Sequence, residues 1–260
     1  MKHILLVLLT SYLVLVLLMY FFQRQMLYKP SIEPENSNYE VLIIDSKGLK
    51  IIVLVNNSQL EQSVIYFGGN GENVYEAPQR MQSAFEGRAA YYVNYPGYGG
   101  SGGAPTESTI IQAAKDVYAY VTAHHHSVAL VGRSLGTGVA IKLASEYIVP
   151  KLVLISPYDS IADLAFNHYP FFPARLLIKD KFENISQAAK ISSKILNIIA
   201  AEDTVIPLQH SQKFIDALKS TQSNTQFEQR VTTQIYTDVN HNNLHLHPSF
   251  MPLIHNFLLD

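Results

Sequence analysis

Val128-Ala129-Leu130-Val131-Gly132-Arg133-Ser134-Leu135-Gly136 joins two segments of opposite character through the pattern Gly-x-Ser-x-Gly. Residues 127–131 are short, apolar and β-branched, which reads as a buried strand. Residues 137–147 place apolar positions at helical spacing among Ala, Leu and Lys, which reads as a helix. A serine on so sharp a strand-to-helix turn is pushed into a strained, exposed backbone position. Gly132 and Gly136 are required because a Cβ at either would collide with the neighbouring strand or helix. The same turn points N–H groups of the helix start at whatever the serine attacks. Ser134 is therefore the candidate nucleophile, and Ser101 and Ser156 lack a comparable strand–helix setting.

Outward from this turn the pattern alternates. Residues 39–45 and 49–55 are strand-like and separated by Ser46-Lys47-Gly48, which predicts an antiparallel hairpin. Strand-like 63–67, helix-capable 73–85 and strand-like 89–95 follow, then a glycine-rich turn and a helix over 106–123. Beyond the serine come strands at 151–155 and 194–200, a helix over 208–219, a last strand at 231–237 and a helix over 248–258. The expectation is an α/β fold: a mostly parallel sheet flanked by helices, opened by the antiparallel hairpin. Residues 158–189 interrupt the alternation with Tyr158, Phe166, Tyr169, Phe171, Phe172 and Leu176 around Pro170 and Pro173. Half of these aromatics are expected to complete the core, and the rest to form a small lid at the strand-end edge where ligands bind.

A serine hydroxyl is a weak nucleophile and needs a general base, itself oriented by a carboxylate. In this fold type the partners follow in the order Ser, Asp/Glu, His at the ends of later strands. Asp203 follows the 194–200 strand and is the candidate acid, with Glu202 its competitor; Asp203 as a turn or capping residue ahead of Pro207 is the plainer alternative. His241 follows the last strand directly and is the candidate base. His245 and His247 lie further along that loop and show no recognised metal-ligand spacing, so no metal site is expected. His124-His125-His126 is expected in a solvated loop at the opposite sheet edge. Leu135 N–H and Asn70 N–H, the latter in Gly68-Gly69-Asn70-Gly71-Glu72, are the candidate oxyanion donors. The loop Tyr95-Pro96-Gly97-Tyr98-Gly99-Gly100-Ser101-Gly102 matches no phosphate cradle and reads as an active-site wall.

Composition bounds the rest. The chain has 260 residues, 48% hydrophobic, with 15% charged, a net charge of −2 and no cysteine. Without a basic cluster nothing points to a nucleic-acid partner. Without cysteine there are no disulfides, thiolate metal sites or thiol nucleophiles. Residues 4–22 are almost uninterruptedly apolar and span roughly 28 Å at 1.5 Å per residue, close to the thickness of bilayer hydrocarbon. Tyr20, Phe21 and Phe22 before Arg24 resemble an interfacial boundary. No small-residue cleavage site follows, so a single-pass anchor (1–22) is expected rather than a cleaved signal peptide. Lys2 on one side balances Arg24 and Lys29 on the other, so charge sets no orientation. Residues 23–37, with Pro30 and Pro34, read as a linker, and 38–260 as the domain.

In combination these segments resemble the α/β-hydrolase superfamily, closest to its membrane-anchored branch of protein depalmitoylases and lysophospholipid or monoacylglycerol lipases. The resemblance is carried by Phe22-Gln23-Arg24-Gln25-Met26-Leu27-Tyr28-Lys29-Pro30 and Gly68-Gly69-Asn70-Gly71-Glu72-Asn73. It continues through Asn94-Tyr95-Pro96-Gly97-Tyr98-Gly99, Gly132 to Gly138, Ser156-Pro157-Tyr158, Asp203 with Val205-Ile206-Pro207, and Asn240-His241-Asn242. One departure stands out: Gly68 occupies the place of the family's usual histidine in His-Gly-Asn. The resemblance implies a serine hydrolase acting on acyl esters or thioesters with no cofactor, and the anchor and apolar lid favour a lipid-like substrate. Amide or peptide hydrolysis on the same residues, and a catalytically weak membrane-tethered binding protein, are the alternatives.

Overall fold

The structure is a computed structural model that describes residues 1–34 and 39–260. It opens with helix α1 (Lys2–Leu27), which contains the whole apolar run and continues past it. Residues 23–27, expected to begin the linker, are helical because Gln23 is held on both sides. Its Nε2 donates to the Tyr20 carbonyl at 2.7 Å and to the Leu177 carbonyl at 3.3 Å, and its Oε1 accepts from Lys179 N–H at 2.7 Å. The expected boundary between linker and domain, at residues 37 and 38, lies outside the described residues.

Strands β1 (Glu40–Ser46) and β2 (Leu49–Asn56) form the expected antiparallel hairpin. Lys47 (φ 52°) and Gly48 (φ 83°) both take the left-handed backbone that a two-residue hairpin turn demands. Then follow β3 (Gln62–Phe67), α2 (Ala77–Arg80), β4 (Ala89–Val93), α3 (Glu107–His124), β5 (Ser127–Arg133) and α4 (Leu135–Glu146). They lead to β6 (Lys151–Ile155), α5 (Ile161–His168), α6 (Ala174–Leu177), β7 (Lys194–Ala200), α7 (Leu208–Ser220), α8 (Asn224–Arg230), β8 (Val231–Tyr236) and α9 (Phe250–Leu259). Among the described residues the strands form one eight-stranded sheet in the order β1-β2-β4-β3-β5-β6-β7-β8, parallel from β4 onward. From β3 the chain steps outward to β4, whereas from β5 it steps the other way to β6. The carboxyl ends of β3 and β5 thus flank the point where the strand order reverses, where ligands bind in open α/β sheets.

Parallel strands must bury both faces. One face carries α3, α4 and α7, whose Ile110, Val117, Leu143 and Phe214 lie in one core cluster; the other carries α9 and the segment around α2, with Met81, Phe85, Phe250 and Ile254. Two elements differ from expectation. Residues 73–85 form a 3₁₀ turn (Val74–Glu76) and the single turn α2, because Asn73 accepts from Tyr75 N–H at 3.2 Å and Pro78 sits at the start of the next turn. Helix α8 was not anticipated: it buries no residue and rests on a capping box between Ser223 and Gln226, so periodicity had nothing to register.

Between β6 and β7, residues 156–193 carry α5 and α6. Tyr158, Phe172, Ile178 and Phe182 are buried, while Phe166, Tyr169, Phe171 and Leu176 are exposed. The histidine triplet is corrected in its middle member. His125 is buried, with Nε2 at 2.7 Å from Tyr91 Oη and Nδ1 at 2.9 Å from the Leu60 carbonyl, while His124 and His126 face solvent.

Candidate active site

Ser134 stands between β5 and α4 at φ 50°, ψ −118°. A left-handed backbone at a non-glycine residue is costly and persists where its surroundings over-determine it. Here Ser134 N–H donates to the Ile155 carbonyl at 2.8 Å, and the Ser134 carbonyl accepts from Thr137 N–H at 2.9 Å and Thr137 Oγ1 at 2.7 Å. A Cβ on Gly132 would run into the Gly136 carbonyl, and one on Gly136 into the Phe67 carbonyl. The expected steric role of both glycines is thus met by backbone they could not displace. Leu135 opens α4, where helix geometry gives its N–H no partner from within the helix. Ser156 also has a positive φ, 52°, at the end of β6. Pro157 and no helix follow it, so its turn assembles no fan of N–H donors.

Asp203 and His241 come from separate loops, after β7 and in the segment following β8, and meet at 2.6 Å between Asp203 Oδ2 and His241 Nδ1. The other carboxylate oxygen accepts from Val205 N–H at 2.9 Å and Ile206 N–H at 2.7 Å. Asp203 thereby both closes its own turn and bonds the histidine ring. Glu202 lies beside it and is more exposed. The His241 loop is tied by Asn240 Oδ1, which accepts from Asn242 and Asn243 N–H, and by Asn243 Oδ1, which accepts from Asn240 N–H. With Nδ1 engaged by Asp203, Nε2 is the ring nitrogen left for a hydroxyl proton.

Glu72 organises the loop after β3. Its Oε2 accepts from Gly69 N–H at 2.7 Å and from Arg133 Nη1 at 3.1 Å, and its Oε1 accepts from Tyr66 Oη at 2.8 Å and from Arg80 Nη2. Burial alone would raise the Glu72 pKa, but Arg133, Arg80 and the Gly69 amide outweigh it and hold the carboxyl below its ordinary value. The same pair raises Arg133 above its ordinary value against the cost of burial. Arg133 Nη2 also donates to the His241 carbonyl at 3.2 Å. One buried ion pair therefore ties the β3 loop, the serine turn and the histidine loop together. Nothing in the local sequence around Glu72 or Arg133 specifies this pairing. The available signal was a charge at the end of an otherwise apolar strand, which has to find a partner when buried.

Asn70 adjoins Gly69. Its Oδ1 accepts from Tyr98 Oη at 2.9 Å and Lys29 N–H at 2.9 Å, and its Nδ2 donates to the Leu27 carbonyl at 2.6 Å. Tyr95 Oη donates to the Gly68 carbonyl at 2.7 Å. Glycine at position 68, in place of the histidine of the resembled loop, therefore stands in a loop held from three sides. The 95–102 loop, expected as a wall, instead buttresses this loop from behind through the buried Tyr95 and Tyr98.

Ser134, Leu135 and Asn70 line a cavity of about 300 Å³, closed by α5, the 169–178 segment and the last turns of α1. That volume is at the small end of ligand pockets. Among the described residues no group of three His, Asp or Glu side chains converges as metal ligands. His247 Nδ1 lies 3.0 Å from Ser249 Oγ and its ring lies 4.1 Å from that of Tyr236. Burial, with Arg80 and Arg133, lowers the His245 pKa.

No protein-family model matches the chain. An uncharacterized protein of Mycobacterium tuberculosis is 28% identical over 214 residues, 75% of each chain. The human alpha/beta hydrolase domain-containing protein 17B is 31% identical over 121 residues, 45% of this chain and 41% of that one. Among solved structures, the esterase Pf2001 of Pyrococcus furiosus superposes with a TM-score of 0.71 at 17% identity, covering 89% of this chain and 98% of that one. The chain has the α/β-hydrolase fold.

Proposed function

We propose that the protein is a serine hydrolase that cleaves acyl esters or thioesters through an acyl-enzyme. The observation that supports this reading is a serine on a strained strand–helix turn together with a buried His241–Asp203 pair of 2.6 Å on later strand-end loops, the His241 carbonyl being bound by Arg133 next to the serine. Ser134 Oγ attacks the acyl carbonyl carbon while its proton passes to His241 Nε2. Leu135 N–H and Asn70 N–H stabilise the negative oxygen that forms. As the intermediate collapses, the carbon–oxygen or carbon–sulfur bond breaks and His241 returns the proton to the leaving group. Water then repeats the sequence on the acyl-enzyme, releasing the acid and restoring Ser134. Asp203 holds the imidazole in the tautomer this needs.

The apolar cavity supports a lipid-like acyl group. Helix α1 is long and apolar enough to cross a bilayer, a test that a signal sequence also passes. The burial of Gln23 and Tyr28 against the domain supports retention as a single-pass anchor, because cleavage would remove packed residues. Residues 158–189 are assigned as the lid and 38–260 as the hydrolase domain. Ser134→Ala is expected to abolish labelling by a fluorophosphonate probe and to lower kcat on short esters by roughly 10⁴ or more with the fold intact. Full labelling of the alanine variant at another serine would overturn the assignment.

A further inference from the structure

The cavity beside Ser134 is walled on one side by the anchor helix itself: Met19, Gln23, Met26 and Leu27 face the α5–α6 segment across it. Gln23 contributes no free polarity, since both ends of its amide are committed to Tyr20, Leu177 and Lys179. Among the described residues His168 is the one ionisable imidazole, carboxyl or ammonium side chain in the lining, and its Nε2 lies 3.1 Å from the Val205 carbonyl. The opposing segment also climbs the helix. Tyr12 Oη donates to the Phe171 carbonyl at 2.9 Å, and Tyr12 lies about 16 Å along α1 from Gln23, in the middle of the apolar run. Phe171, Tyr169 and Leu176 are 52%, 42% and 82% exposed beside that run. Solvated apolar side chains grouped next to a bilayer-length helix fit contact with lipid rather than water.

The geometry points to α1 as part of the substrate site and not merely a tether: a long acyl chain passes from the bilayer between α1 and the α5–α6 segment, its carbonyl reaching Ser134. This rests on the hydrolase reading above and adds the wall and the route of entry. Among the described residues no Asp, Glu, Lys or Arg side chain lines the cavity, whereas a water-borne charged substrate would have to be stripped of its hydration to enter it. The end of the same helix holds Asn70 through the Leu27 carbonyl and Lys29 N–H, so the wall and the oxyanion loop are one packed unit.

The test uses the full chain in phospholipid nanodiscs and two readouts. In the first, acyl esters graded from butanoyl to hexadecanoyl are hydrolysed by wild type, Met19→Trp, Met26→Trp and Phe21→Trp. Filling the wall is expected to cut kcat/KM for hexadecanoyl relative to butanoyl by about tenfold or more, mostly in KM. Phe21, exposed on the lipid side, is expected to keep the wild-type profile. Unchanged long-chain preference in both wall variants would overturn the inference. The second readout needs no turnover: a phospholipid carrying a diazirine on its hexadecanoyl tail is irradiated with the Ser134→Ala protein. Cross-links at Met19, Met26 or Phe172 support the route, and cross-links confined to outward residues such as Leu13 and Phe21 overturn it. Cavity cross-links in Ser134→Ala, together with no hydrolysis of any ester of the series by the wild type, would sink the hydrolase reading while leaving the route standing. Giving the wild type an S-hexadecanoyl peptide beside the phospholipid distinguishes the two sources of the chain by which one is cleaved.

Discussion

At the scale of single residues, the site depends on a group of buried charges. Glu72 is buried between Arg133 and Arg80 and orients Gly69. Removing one partner of a buried pair leaves the other charge uncompensated, at about 3–5 kcal/mol, so Glu72→Gln is expected to lower the urea midpoint at pH 7 markedly. The pH dependence follows from the sign of the shift. A carboxyl whose folded pKa is depressed adds stability above its unfolded value of about 4.3, and that stability is lost as pH falls through the folded value. Wild type should therefore lose stability on acidification below about pH 4, and the glutamine variant should show a shallower loss over the same window. Equal acid slopes in the two proteins would count against the Glu72–Arg133 coupling. The histidines separate in the same way. His241→Ala is expected to remove nearly all ester turnover, whereas His247→Ala, whose ring lies against Tyr236, should retain most of it.

At the scale of elements, the serine turn works because α4 approaches β3 more closely than any side chain allows. A Cβ on Gly136 would meet the carbonyls of Phe67 and Gly68, which are backbone and cannot swing aside. Gly136→Ala is therefore expected to push α4 away from β3. Overpacking of this kind costs about 1–3 kcal/mol. The larger effect should fall on kcat, because displacing the Leu135 N–H by an ångström costs on the order of 100-fold. Steady-state kinetics beside a thermal melt would separate the two, and a variant with a lowered Tm but wild-type kcat would argue against the role given to Leu135. Helix α1 is the second element whose sequence understates it. Its last turns are helical and packed where composition suggested a linker, since Gln23 and Arg24 find partners in Leu177, Lys179 and Asp180, far along the chain.

At the scale of the whole molecule, helix α1 and the residues that follow it share surface. Tyr28 is buried in the main core cluster, and burying a side chain of that size contributes roughly 1.5–3 kcal/mol. A chain beginning at Ile32 is expected to melt at a lower temperature than one beginning at Leu18 and to turn over short esters more slowly, because Asn70 loses Leu27 and Lys29. Equal melting temperatures would make α1 a simple tether.

The sequence by itself determined the sheet and the order of its strands along the chain, because strand and helix periodicity, the Ser46-Lys47-Gly48 turn and the glycines around Ser134 are local constraints. It determined the candidates Ser134, Asp203 and His241 for a related reason: each sits at a strand end, and strand ends are legible from apolar runs. The relations between distant segments arise only in the folded chain. The Asp203–His241 bond, the Glu72–Arg133 pair, the burial of His125 and the packing of α1 against residues 158–189 all join side chains far apart in sequence. Their partners are chosen by burial, where an unpaired charge or amide is too costly to leave alone. No spacing along the chain records that choice.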